Sequence, residues 1–186
     1  LYTTAPLPRR DNYGVPPRGK PALERRIDGL APLGKTTVTP DETIRDRLRM
    51  LVAVDESLGR IMQALDKQGV LDKTVIMLMG DNGYFYGEHG LSEERRLAYE
   101  ESIRVPLLIR YPPRVRAGSR PSAPVLTIDI APTILDLTAS KPLAGIDGRS
   151  VVPLFAGEPP TGWRRSFLIL YTTDIVFPPP LRMGYH

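Results

Sequence analysis

The sequence has no cysteine, and it has only two histidines and one tryptophan among its 186 residues. Without cysteine the chain cannot form a disulfide, bind a metal through thiolates or supply a cysteine nucleophile. No apolar run approaches the ~20 residues that a membrane-spanning helix requires, so we predict no membrane span. The net charge of +4 is small, and no stripe of basic residues alternates with aromatic residues. This argues against nucleic acid as a partner.

Proline, by contrast, is abundant, with 20 residues where about 5% is usual. The prolines cluster in residues 6–40, 106–124 and 153–180, which predicts extended, irregular segments there. We expect a proline- and arginine-rich arm over residues 1–39 and a regular domain over 40–155. The chain begins with Leu1 rather than Met, and we expect it to be a piece of a longer protein. Its compartment is therefore left open.

The clearest helix is predicted over residues 39–68. Thr39 suits the N-cap position, Pro40 the first helical position, and Glu42 completes a capping box. Apolar residues follow at helical spacing, and Gly69 is a natural end of the helix. The stripe consists of Ile44, Leu48, Leu51, Val52, Leu58, Ile61, Met62 and Leu65.

Two apolar segments, residues 74–79 and 105–111, predict strands that are buried on both faces, as in a parallel sheet covered by helices. Residues 125–138 predict a turn or short strand that enters a helix, with Asp129 as its cap. The order of helix, strand, loop, strand and helix favours an α/β fold.

Asp81 and Asn82 are the first polar residues after the first predicted strand. In α/β sheets, ligands bind beyond the carboxyl ends of the strands. A carboxylate and an amide offer the hard oxygen ligands that Ca²⁺ or Mg²⁺ prefers. The sequence Asp-Asn-Gly is also a common turn, because Asn and Gly tolerate positive φ. Two residues supply too few ligands for either metal, so any site needs further ligands from elsewhere.

The sequence around Asp81 and Asn82 resembles that of the sulfatase family, the formylglycine-dependent branch of the alkaline-phosphatase-like superfamily. The resemblance covers residues 40–155 in order. The matching segments are Asp81-Asn82, Gly87-Glu88-His89-Gly90, Tyr99-Glu100, Ser102-Ile103-Arg104-Val105-Pro106-Leu107, the helix of residues 52–76 and the segment 128–155.

This resemblance implies a three-layer fold with a mostly parallel central sheet, of which the chain is a part. Residues 156–186 would lead into a C-terminal subdomain outside the chain. Asp81 and Asn82 would hold a divalent cation, most often calcium, with magnesium the alternative. Arg95 falls where the family has a sulfate-binding lysine, and it would bind the substrate without easily releasing a proton, because a guanidinium stays protonated. The alternative is a solvated surface arginine. His89 is a candidate general acid or substrate contact, and the alternative is a structural histidine packed in the loop.

The formylglycine nucleophile is made from Cys or Ser in a C/S-x-P-x-R motif, which this chain lacks. The resemblance therefore implies that the remainder of the protein supplies it and that this chain alone is inactive. The substrate would be a small-molecule or glycan sulfate ester, and a periplasmic or extracellular location is typical of the family. Two alternatives remain: a phosphate or phosphonate ester hydrolase of the same superfold, and a degenerate, non-catalytic fragment.

Overall fold

The computed structural model describes residues 6–16, 18–19, 38–92 and 97–170. Arg95, His186 and much of the predicted arm lie outside these residues. The chain divides into two compact units. The first contains the described residues of Leu1–Ala64, Asn82–Pro106 and Ile169–His186, and the second contains Leu65–Asp81 and Leu107–Leu168.

The long helix α1 spans Asp41–Lys67, close to its predicted bounds. It ends as predicted, because Gly69 has a φ of 68° and its N–H donates to the carbonyl of Asp66 at 2.8 Å. The predicted capping box is wrong: the buried hydroxyl of Thr39 has no hydrogen-bond partner among the residues that the structure describes. Glu42 instead pairs with Arg49 at 2.6 Å. A carboxylate two turns from an arginine has a charged partner that competes with the cap.

Most of the apolar stripe of α1 is not covered by other residues that the structure describes. Ile44 is the buried residue of this helix, whereas Leu51 and Ile61 on the predicted stripe are exposed. The helical spacing therefore predicted the conformation correctly, but the described residues bury only the first turns. None of the helices in the described part of the chain combines the length and the apolar character that crossing a bilayer requires.

Strand β1 (Ile76–Met79) and strand β2 (Leu107–Arg110) pair antiparallel in the second unit, with Ile76 opposite Arg110 and Met79 opposite Leu107. The described residues thus contain a two-stranded antiparallel sheet and not the mostly parallel three-layer sheet that we expected. Burial on both faces is also wrong, because Leu78 and Met79 are exposed. The reason is that an apolar run indicates only that a strand can be buried. It does not reveal the direction of the strand relative to its neighbour, nor which segment covers it.

The remaining helices are short. Helix α2 spans Glu100–Ile103 in the first unit, and helix α3 spans Ile130–Leu137 in the second. Single 3₁₀ turns occupy Leu71–Lys73, Thr127–Asp129 and Val152–Ala156. The core of the second unit consists of Val151, Val152, Leu154 and Phe155, against which Ile109, Val115, Val125, Leu137 and Trp163 pack.

Asp129, which we predicted as a simple cap, is the centre of a buried network in the second unit. Its carboxylate accepts hydrogen bonds from the backbone N–H groups of Leu126 and Arg149, both at 2.8 Å. The guanidinium of Arg164 binds both carboxylate oxygens, at 2.5 and 2.8 Å. One side chain thereby joins a turn, a loop and the segment around Trp163.

The core of the first unit consists of Phe85, Leu91 and Leu97, with Tyr99 packed against it. Residues 12–14 of the arm lie along the glycine-rich loop. Gly14 N–H donates to the carbonyl of Gly87 at 2.7 Å, and His89 N–H donates to that of Asn12 at 2.9 Å. These backbone bonds fix the loop that carries His89.

Candidate functional site

Asp81 and Asn82 lie directly after β1, as the sequence predicted, and both are exposed. The amide nitrogen of Asn82 donates to the carbonyl of Gly83 at 2.7 Å, so the atom suited to a cation is the amide oxygen. Gly83 does not have a positive φ, which means that this pair is not the positive-φ turn that its composition also allowed.

Gly83 is needed here for a different reason, namely the close approach of another backbone segment. Its N–H donates to the carbonyl of Ser102 at 2.7 Å. A Cβ at this position would lie 1.9 Å from the carbonyl oxygen of Glu101, a distance that no side chain tolerates. The segment that begins with Asn82 is therefore held against α2 through backbone atoms.

The glycine-rich loop Gly87–Gly90 places His89 in the left-handed region, with a φ of 56°. A residue other than glycine is uncommon there, and such strain is most often found at functional sites. Gly87, with a φ of 144°, is enclosed by the ring of Tyr13 and by Val38, which lie 2.7 and 2.9 Å from the position of a Cβ. The loop is thus tightly packed on one side.

The imidazole of His89 contacts several side chains in the first unit, among them Tyr99, Glu101 and Asn12. Its ring lies against that of Tyr99, with 4.2 Å between centroids and 31° between planes. Its Nε2 atom lies 3.3 Å from Oε2 of Glu101 and 3.0 Å from Nδ2 of Asn12. The side chain remains 25% exposed.

Glu101 is a buried carboxylate that our sequence analysis did not single out. Its side chain is 6% exposed, and its Oε1 atom accepts hydrogen bonds from Arg10 at 3.0 Å and from Asn12 at 3.2 Å. Burial alone would raise its pKa, but its own backbone N–H, the Asn12 amide and the charges of His89 and Arg10 lower the pKa below its ordinary value. The sequence signal was weak, because Glu101 stands beside another acid.

That other acid, Glu100, has a different environment. It pairs with Arg104 at 3.4 Å, one helical turn away, and both side chains are exposed. The two adjacent glutamates of α2 therefore differ in environment, because successive residues on a helix point in directions about 100° apart.

The aromatic residues of the loop have separate roles. Phe85 is fully buried in the core. Tyr84 and Tyr86 instead contact Arg47 of α1, whose guanidinium lies 4.1 and 5.4 Å from their ring centroids. The hydrogen bond from Arg47 to the Tyr84 hydroxyl, at 3.1 Å, raises the arginine pKa more than burial lowers it.

The donor set around Asp81 and Asn82 is suited to a hard divalent cation but is incomplete. One carboxylate and one amide oxygen are ligands that calcium and magnesium accept. No group of three or more His, Cys, Asp or Glu side chains with metal-binding geometry occurs among the described residues. Arg95, the predicted sulfate contact, lies outside them.

A protein-family model described as Sulfatase matches residues 7–140. The chain belongs to the sulfatase family. It is 42% identical over 125 residues to an N-acetylglucosamine-6-O-sulfatase of Bacteroides thetaiotaomicron, a match that covers 66% of this chain and 22% of that protein.

Solved structures are also similar to this chain. One protein, in complex with its substrate D-glucosamine-2-N,6-O-disulfate, matches with a TM-score of 0.61 and 43% identity over 64% of this chain and 24% of that one. A phosphonate monoester hydrolase from Silicibacter pomeroyi matches with a TM-score of 0.55 and 33% identity, over 73% and 26%. The chain thus spans about a quarter of the length of these relatives, and its fold is part of the alkaline-phosphatase-like fold.

Proposed function

We propose that the full-length protein hydrolyses the sulfate ester of a sugar, with a 6-sulfated glucosamine-type sugar as the first candidate. The observation that supports this most strongly is the family match over residues 7–140. The relative named as an N-acetylglucosamine-6-O-sulfatase and the neighbour bound to a disulfated glucosamine indicate the sugar.

In this proposal Asp81 and Asn82 hold a divalent cation, with calcium favoured over magnesium. Calcium takes about 6–8 oxygen ligands, so residues outside this chain complete the site. When bound, the cation would offset the negative charge of the sulfate group. Gly83, held by α2, keeps Asn82 in place for this purpose.

Arg95 would bind the sulfate group. A guanidinium offers several N–H donors in a planar arrangement that matches a tetrahedral oxyanion. It stays protonated at working pH, so another group must protonate the leaving alcohol. His89 is the candidate for that task, because imidazole exchanges a proton near neutral pH.

The nucleophile would come from the part of the protein outside this chain, as a formylglycine. This chain has no cysteine and no C/S-x-P-x-R segment. Its share of the machinery would be two metal ligands, the sulfate contact and the proton donor.

The proposal is tested on the full-length protein with N-acetylglucosamine 6-sulfate and added calcium. We expect sulfate release, measured by ion chromatography, and a loss of about 100-fold or more with Asp81→Ala or Asn82→Ala. Asp72→Asn is the matched control, since this exposed carboxylate contacts Arg110. Calcium binding by calorimetry should weaken with the same two variants and not with the control. Full activity of Asp81→Ala contradicts the metal assignment.

The phosphonate monoester hydrolase neighbour supports a second candidate function. A phosphonate or phosphate ester has the same tetrahedral anionic centre as a sulfate ester, so fold and charge alone do not separate them. Rates on matched phenyl esters of sulfate, phosphate and phenylphosphonate decide between them. No turnover of any ester by the full-length protein would indicate the degenerate, non-catalytic alternative.

A further inference from the structure

The histidine and the buried glutamate of the first unit form an arrangement that packing alone does not require. Glu101 keeps a charged carboxylate at 6% exposure, and burying a carboxylate is unfavourable unless it is paired. His89 accepts a strained backbone, with a φ of 56°, where glycine would be free of strain. The buried carboxylate and the strained backbone together bring Nε2 of His89 into contact with the carboxylate of Glu101.

The hydrogen bonds of the carboxylate identify which imidazole nitrogen it holds. Its Oε1 atom accepts from Arg10 and Asn12, whereas among the described residues the side-chain donor within reach of Oε2 is Nε2 of His89, at 3.3 Å. If Nε2 carried no proton, its lone pair would face a buried carboxylate oxygen. Nε2 also lies 3.0 Å from the amide nitrogen of Asn12, which can only donate. The carboxylate is charged and is therefore the stronger of the two partners, which favours the tautomer with the proton on Nε2.

The opposite ring nitrogen, Nδ1, makes no hydrogen bond with any residue in the described part of the chain, and it is not among the enclosed polar atoms that lack a partner. With the ring fixed by Tyr99 and Glu101, and one quarter of the side chain exposed, Nδ1 is the nitrogen that remains accessible to a ligand.

We propose that Glu101 is a positioning residue that holds the proton of His89 on Nε2, so that Nδ1 is the nitrogen that exchanges a proton with the substrate. This inference rests on the proposed sulfatase function. The bond between sulfur and the alcohol oxygen breaks, and its electron pair stays on that oxygen, which takes the Nδ1 proton of the imidazolium. Water supplies the oxygen that sulfur finally gains, and it returns the proton to Nδ1.

The first test measures the tautomer directly. In the full-length protein labelled with ¹⁵N-histidine, the His89 signals are those that disappear in His89→Asn. At a pH where the ring is neutral, we expect the proton on Nε2. In Glu101→Gln the amide can donate to Nε2, so we expect the proton to move to Nδ1 in a large share of molecules. A neutral Nδ1–H form in the unaltered protein, with Nε2 accepting from Asn12, overturns the proposal.

The second test uses the leaving group. Nitrophenolate departs without a proton, whereas a sugar alkoxide needs one. We expect Glu101→Gln to lower kcat about 10- to 100-fold on the sugar 6-sulfate and less than about threefold on nitrophenyl sulfate. Glu101→Asp, which keeps the charge, should retain more of the sugar sulfatase rate. An equal loss on both esters would show a structural role and overturn the proposal.

Arg10→Ala is the matched control. Arg10 contacts the same carboxylate, but its side chain is 60% exposed and it binds Oε1 rather than the oxygen that faces His89. We expect both the tautomer and the ratio of the two rates to stay unchanged. If Glu101→Gln does not fold, the tautomer of His89 in the unaltered protein and in Arg10→Ala still tests the proposal. A protein that hydrolyses no sulfate ester would refute the proposed function and the proton-transfer role together, whereas the tautomer result tests the Glu101–His89 pair by itself.

Discussion

Two glycines show how much one missing side chain can matter. Gly83 lies so close to the carbonyl of Glu101 that a methyl group would overlap it. Gly59, inside α1, has nothing within 4 Å of its Cβ position. The sequence shows where both glycines lie, but only the packing shows that a side chain would fit at Gly59 and not at Gly83.

We predict that Gly83→Ala lowers the free energy of unfolding of the full-length protein by about 1–3 kcal/mol, because the added methyl forces backbone apart. Gly59→Ala is the control, and it should raise the free energy by about 0.5–1 kcal/mol, since alanine favours the helix. Urea unfolding measures both. A neutral Gly83→Ala would show that α2 and the Asn82 segment can separate freely.

Among the elements, the 3₁₀ turn Thr127–Asp129 depends on a side chain that comes from a distant part of the sequence. Asp129 is fully buried and Arg164 nearly so, and no motif in the sequence links them. We had seen the acid as a cap and had not singled out the arginine. Pairing between residues 35 apart is a tertiary property that local patterns do not reveal.

Replacing Asp129 with Asn should lower the free energy of unfolding by about 3–5 kcal/mol, because it leaves the Arg164 guanidinium buried without its charged partner. The exposed pair of Asp72 and Arg110 provides the comparison, and Asp72→Asn should change stability by less than about 1 kcal/mol. Thermal unfolding of the two variants checks this. Equal effects would mean that burial of the Asp129 pair has no energetic consequence.

Helix α1 and its end followed from apolar spacing and from Gly69, since these signals are local. The position of Asp81 and Asn82 after a strand was also predictable. The direction of β1 against β2, the empty cap at Thr39 and the burial of Glu101 were not, because each depends on which segment packs against the residue. The local sequence is nearly the same for Glu100 and Glu101, and only the fold separates them.

For the whole molecule, the free energy of unfolding should depend on pH in the acidic range. Burial acts to raise the pKa of Asp129, but Arg164 and the backbone N–H groups of Arg149 and Leu126 lower it below the ordinary value. Such a group stabilises the folded state above the unfolded-state pKa of about 4, and the stabilisation is lost as the pH falls through the folded-state pKa. We expect the free energy of unfolding to fall below about pH 4. Asp129→Asn should flatten this decline in pH-dependent urea titrations, and an unchanged slope would contradict the assignment.

The isolated 186-residue chain should have no sulfatase activity, even with added calcium. It offers two ligands of the proposed metal site and, lacking cysteine, no cysteine-derived nucleophile. An arylsulfate assay of the chain beside the full-length protein measures this. Robust turnover by the chain alone would require a nucleophile and ligands that we have not assigned.

The backbone attachment of Gly83 also bears on how such proteins diverge. The N–H of Gly83 and the carbonyls of Glu101 and Ser102 belong to every amino-acid type except proline in the donor position. The backbone contacts of Gly83 with α2 therefore do not depend on which side chain residue 82 carries. During evolution the side chain at position 82 could therefore be exchanged, and the preferred metal or ester could change with it. The backbone contacts between Gly83 and α2 would be kept, and only the glycine would need to be conserved.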